Sequence, residues 1–95
     1  MPKGYLISRV NVTDAEAYAR YAAEATKVIL AHGGRILARG GRAEALEGEA
    51  RERNVVLEFA SYEAARAHFY SAEYQAARAL RQGAAEIEMV LVEGA

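Results

Sequence analysis

The tightest constraint on this chain is that its strand-like segments are apolar on both sides. Asn54 to Phe59 reads NVVLEF and Ile87 to Val92 reads IEMVLV. Gly4 to Val12 (GYLISRVNV) and the short Arg35 to Arg39 (RILAR) complete a set of four predicted strands. Successive side chains on a strand point to opposite faces. Val55, Leu57 and Phe59 therefore share one side, with Val56 on the other. Ile87, Met89 and Leu91 oppose Val90 and Val92, and Leu6, Val10 and Val12 oppose Tyr5 and Ile7. A chain of 95 residues builds one domain around one core. Its helices cover one side of a sheet, so the other needs a second explanation.

Two helical stretches separate the strands. Thr13-Asp14-Ala15-Glu16 reads as a capping box, in which Thr13 and Glu16 satisfy each other's backbone N–H groups. Ala15, Tyr18, Ala22, Ala25 and Ile29 then recur at helical spacing as the buried stripe. Gly33 suits the left-handed position after a helix, which sets the end at His32. Ser61 caps a short helix to Phe69, and Ser71 opens another through Tyr74, Ala77 and Leu80 to Gln82. The charged stretch Arg42 to Arg53 reads as a solvated loop, with a short extra strand around Ala45 to Glu47 as the alternative. The order β-α-β-β-α-β, with a split second helix, is the α+β ferredoxin-like signature. Right-handed crossovers give a four-stranded antiparallel sheet in the order 4-1-3-2, with helices on one face.

Charge and composition remove several function classes. Twelve Lys and Arg balance thirteen Asp and Glu, for a net charge of −1, without the basic excess of a nucleic-acid binder. Cysteine is absent, which removes disulfides, thiolate metal sites and cysteine nucleophiles. No apolar run is long enough to span a membrane, and Met1 to Gly4 leads into a strand pattern rather than a secretory core. The expectation is a soluble, cytoplasmic protein with no nucleic-acid or membrane partner. Gly33-Gly34 and Gly40-Gly41 match no phosphate-binding motif. The two histidines are far apart in sequence and form no paired metal-ligand spacing, so no metal and no cofactor is expected.

The uncovered side of the sheet carries Tyr5, Ile7, Leu37, Val56, Val90 and Val92. Together they expose about 400–600 Å² of apolar surface, a size that marks an interface. This predicts a homodimer in which two sheets pack face to face.

Polar residues within the strands suggest a site. By alternation Arg9 lies with Tyr5 and Ile7, Glu58 with Val56, and Arg39 with Arg35 and Leu37. In strand order 4-1-3-2 these form a row on one face. The row serves either as an anion site, with an arginine fork on a carboxylate, or as an ion-pair network that sets dimer register. A second group is aromatic. Tyr18 and Tyr21 share a helix face, and Tyr70 and Tyr74 flank the break between the split helices, beside His68. These residues either line a ligand pocket, with His68 as general base, or pack as ordinary core. His32 reads as a cation at a helix end.

The ordered set Gly4-Tyr5, Thr13-Asp14 with Tyr18 and Tyr21, Gly33-Gly34, Arg39-Gly40-Gly41, Glu47-Gly48, Glu58-Phe59, Ser71-Ala72-Glu73-Tyr74-Gln75 and Leu91-Val92-Glu93-Gly94 spans nearly the whole chain. It resembles the bacterial domain-of-unknown-function family 1330. That resemblance implies a ferredoxin-like domain of the dimeric α+β barrel superfamily. Relatives there include cofactor-free monooxygenases, small isomerases and decarboxylases, and haem enzymes. The functional expectations are a small cofactor-independent enzyme for a hydrophobic or aromatic carboxylate, a non-catalytic small-molecule binding or sensing dimer, or a purely structural dimer module.

Overall fold

Alternation and capping produce the expected elements in the computed structural model, which describes residues 2–95. They are β1 (Gly4–Val12), α1 (Ala15–Ala31), β2 (Arg35–Arg39), β3 (Arg53–Phe59), α2 (Tyr62–Phe69), α3 (Ala72–Ala79) and β4 (Ala85–Glu93). The four strands form one antiparallel sheet in the order β2-β3-β1-β4. This is the expected 4-1-3-2 order read from the other edge. The fold is the ferredoxin-like β-α-β-β-α-β arrangement, with α2 and α3 as the split second helical unit. No helix among the described residues is long and apolar enough to cross a membrane.

The helix side of the sheet holds the core. Leu6 and Val10 of β1 and Val55, Leu57 and Phe59 of β3 are buried there against Tyr18, Tyr21, Ala25 and Ile29 of α1. The buried stripe of α1 begins at Ala17, not at Ala15, and includes Tyr21 where Ala22 is only partly buried. Asp14, not Thr13, caps α1, accepting from the Ala17 N–H at 3.2 Å. The backbone N–H groups of Thr13 and Asp14 both reach the Ala84 carbonyl, at 2.8 and 3.0 Å. Tying Thr13 to the turn before β4 starts the helix one residue later. Ser61 and Ser71 cap α2 and α3 as expected. The Ser71 hydroxyl also donates to the His68 carbonyl at 2.7 Å, which pins the break between the two helices. Gly4 is fixed by close packing: a Cβ there would lie 2.2 Å from the Ser61 carbonyl oxygen.

Strand β2 departs from simple alternation. Arg35 pairs with Glu58 and Ile36 with Leu57, but Ala38 pairs with Val56 and Arg39 with Val55. A bulge at Leu37 inserts one extra residue, which turns Arg39 to the opposite side of the sheet. The expected row of Arg9, Glu58 and Arg39 on one face is therefore corrected. Arg9 and Glu58 lie on the open side, and Arg39 faces the helices beside buried Val55.

Residues 42–52 contain no extra strand. They fold over one end of the open face. The Arg9 guanidinium donates to the Glu49 carbonyl, and Asn11 Oδ1 accepts from the Glu52 N–H at 3.0 Å. Glu52 Oε1 accepts from the Val12 N–H at 3.0 Å, and Arg51 pairs with Glu88 at 3.1 Å. The loop leaves the rest of that face uncovered: Val90 is 53% exposed and Val92 41%.

Candidate functional site

Helix α1, the start of α3 and the centre of the sheet enclose a cavity of about 40 Å³, which holds a water or two. The cavity opens to solvent through a mouth. Tyr18 and Tyr21 reach it from α1, His68 from α2 and Tyr74 from α3. Ser8 of β1, Arg39 of β2 and Arg53 of β3 line the sheet side, with apolar Leu6, Val55 and Met89 between them. Four residues of the expected aromatic set thus come together: Tyr18, Tyr21, Tyr74 and His68. Arg39, expected on the other face, joins them through the β2 bulge.

Tyr70 does not. It is 64% exposed, and its ring packs edge-on against Phe69 and beneath the Arg66 guanidinium. Tyr70 is the C-cap of α2, and its side chain leaves the cavity side at the helix break. Arg9 and Glu58 also stand apart. Glu58 accepts from the Tyr5 hydroxyl at 3.0 Å and from Arg35 at 3.5 Å, a small network on the open face. The hydrogen bond to Glu58 raises the Tyr5 phenol above its ordinary value.

Two guanidinium groups give the cavity a positive edge. Arg39 Nη1 donates to the Thr26 hydroxyl at 2.9 Å, and neither Arg39 nor Arg53 has a carboxylate partner among the described residues. The Arg53 guanidinium lies 5.5 Å from the Tyr18 ring centroid. Gly40, at φ +66°, makes room for it: a Cβ there would meet Arg53 Nη1 at 2.6 Å. The buried Arg53 Nε has no hydrogen-bond partner. The Tyr21 and Tyr74 hydroxyls pair at 2.8 Å, and burial pushes the Tyr21 phenol far up, so it stays protonated.

His68 is the most buried polar residue of the site, at 1% exposure. Its ring lies between Phe59 and Tyr74, with centroids at 4.7 and 5.0 Å. Its Nδ1 is 2.8 Å from Nδ1 of His32, and His32 Nε2 is 3.2 Å from Glu73 Oε2. Its Nε2 is buried without a partner. An unmet buried polar atom costs about 1–3 kcal/mol, so a fold retains one only for a reason. His32 and Glu73 are the site residues that sequence reasoning misses. They lie 41 positions apart and meet because the end of α1 packs beside the start of α3.

Burial, and then the charge of His32, hold the His68 imidazole down at about 4, below its ordinary 6.5. The hydrogen bond from His32 lowers the Glu73 carboxyl as well. Between pH 6.5 and about 4 the unfolded chain protonates His68 while the folded chain does not. Stability from this group is therefore complete above pH 6.5 and declines as pH falls towards 4. The full difference is up to about 3 kcal/mol. Denaturant titrations at stepped pH should show His68→Phe losing less stability than the parent across that window. Parallel curves would contradict the assignment.

The comparisons with known proteins agree with this architecture. A protein of unknown function from Rhodopseudomonas palustris superposes with a TM-score of 0.79 at 21% identity, covering 99% of this chain and 83% of that one. A dimeric ferredoxin-like protein of unknown function from Thermobifida fusca gives 0.65 at 14% identity, covering 97% and 91%. A cofactor-independent oxygenase from Streptomyces nogalater gives 0.54 at 12% identity, covering 97% and 92%. At these identities the likeness speaks to the fold. No curated protein matches the chain. The family comparison speaks to its descent: residues 3–95 match the family described as Domain of unknown function (DUF1330), and the chain belongs to that family.

Proposed function

We propose that this protein is a small enzyme that moves a proton on a small carboxylate with an apolar body. The observation that carries the reading is the buried, unpartnered Nε2 of His68, a residue that lines a cavity edged by two guanidiniums that no carboxylate neutralises. Arg39 and Arg53 would grip the carboxylate, the tyrosine rings would pack against its body, and His68 would take a proton from carbon next to a carbonyl. Such a step needs a base and charge stabilisation and calls on no cofactor. The enclosed volume of about 40 Å³ is water-sized, so the body of the carboxylate would occupy the open mouth. A cofactor-independent oxygenase has the same fold, so by analogy the fold admits chemistry without a cofactor.

The second reading is a binding dimer with the same pocket. It is favoured by the low basicity of His68, which weakens it as a base acting alone. The two separate in one experiment. Pyruvate, 2-oxobutyrate and phenylpyruvate are incubated with the protein in D₂O, and C–H exchange is followed by NMR against a no-protein control. The enzymatic reading expects accelerated exchange, a loss of roughly 100-fold or more in His68→Gln, and a raised KM in Arg39→Ala. Calorimetric binding without exchange would establish the binder instead.

We also infer that the protein is a homodimer joined through the open sheet face. Exposed Val90 and Val92, with half-buried Tyr5, Ile7 and Val56 beside them, support this, as does the dimeric state of the Thermobifida fusca protein. Sedimentation at micromolar concentration should give a dimer for the parent and a folded monomer for Val90→Lys. A monomeric parent would overturn the assignment.

A further inference from the structure

The contacts behind His68 form a chain that ends at the surface. Glu73, exposed at the start of α3, accepts a hydrogen bond from His32 Nε2 at 3.2 Å. His32, partly exposed after the end of α1, meets His68 Nδ1 through its own Nδ1 at 2.8 Å. We infer that Glu73 and His32 are positioning residues that fix the His68 tautomer and link the cavity to solvent for proton exchange. The exchange part rests on the proposed proton-transfer function; the tautomer part does not.

The logic runs inward from the carboxylate. An ionised carboxylate only accepts hydrogen bonds, so the His32 nitrogen facing Glu73 carries its hydrogen. A neutral His32 then presents a bare lone pair at Nδ1. His68 Nδ1 must donate to it, because two lone pairs at 2.8 Å would repel. That leaves the buried, unpartnered Nε2 of His68 bare, as a general base requires. The reverse arrangement would set a bare His32 Nε2 against the carboxylate and bury an unmet N–H at His68 Nε2.

The same chain compensates for the low basicity of His68. When a substrate C–H bond breaks, its electron pair stays on the substrate as an enolate beside Arg39 or Arg53. The proton goes to His68 Nε2, and the Nδ1 proton of His68 passes to His32 Nδ1. The positive charge then rests on His32, next to the Glu73 carboxylate and partly in water, rather than on the buried ring. The charged groups across the cavity, Arg39 from β2 and Arg53 from β3, oppose a cation on His68, and Tyr18, Tyr21 and Tyr74 offer no anion to hold one. Exchange of the Nε2 proton with water through the open mouth before its return puts a solvent hydrogen on carbon or oxygen, and return of the Nδ1 proton from His32 resets both tautomers without an oxidant.

Long-range ¹H–¹⁵N spectra of histidine-labelled protein at pH 7.5 test the assignment. The parent should show His68 protonated at Nδ1 and bare at Nε2, with His32 protonated at Nε2. Glu73→Gln, at an exposed position, should shift His32 and His68 towards mixed tautomers while the fold persists. It should also slow C–H exchange on phenylpyruvate roughly tenfold at unchanged KM, with Glu73→Asp recovering part of the rate. His68 protonated at Nε2 in the parent, or tautomers unmoved by Glu73→Gln, would overturn the assignment. The predicted tautomers in a parent with no exchange activity would refute proton transfer and leave the positioning role of Glu73 and His32 standing.

Discussion

One extra residue in β2 decides which side of the sheet Arg39 serves. With unbroken pairing, Arg39 would sit with Arg35 and Glu58 on the open face, where Arg35 already meets that carboxylate. The bulge between Ile36 and Ala38 turns it to the helix side instead. There it joins Arg53 at the mouth of a cavity that holds no opposing carboxylate. The sheet is thereby divided. One face carries an anion-attracting cavity with a buried imidazole. The other carries a small neutralised network and a band of aliphatic residues.

The cavity is also where the fold gives up stability. His68 is buried, held neutral and left with one nitrogen unmet, and Arg53 Nε is also buried without a hydrogen-bond partner. Phenylalanine or leucine at position 68 would fill the same space without that cost. The surroundings instead hold the imidazole firmly. Phe59 and Tyr74 pack against the ring, Ser71 fixes the backbone carbonyl of His68, and His32 engages its Nδ1. Such support is what the proposed base would need, because a base must be placed to within a fraction of an ångström.

Much of the architecture was legible because alternation and capping are local. Ser61, Ser71, Gly33 and the paired apolar faces of β3 and β4 mark their elements without reference to the rest of the chain. The errors share a different origin, in long-range contacts. Thr13 yields the cap to Asp14, and its own N–H goes to the carbonyl of Ala84, 71 positions away. Arg39 changes face through a pairing irregularity with β3. Tyr70 leaves the pocket at a helix break whose exit direction depends on packing. His32 read correctly as a helix-end residue, and its pairing with His68 and Glu73 became visible only when α1 and α3 were set side by side. Adjacent helices in this fold bring the end of one beside the start of the other.

The account stands or falls on the cavity being a carboxylate site that presents the bare nitrogen of His68. A crystal structure with isobutyrate, an unreactive branched carboxylate, tests this most directly. The account predicts its carboxylate against Arg39 or Arg53, its methyl groups against the tyrosine rings, and His68 Nε2 facing it. Isobutyrate absent from the cavity at saturating concentration, with Arg39 still on Thr26, would contradict it.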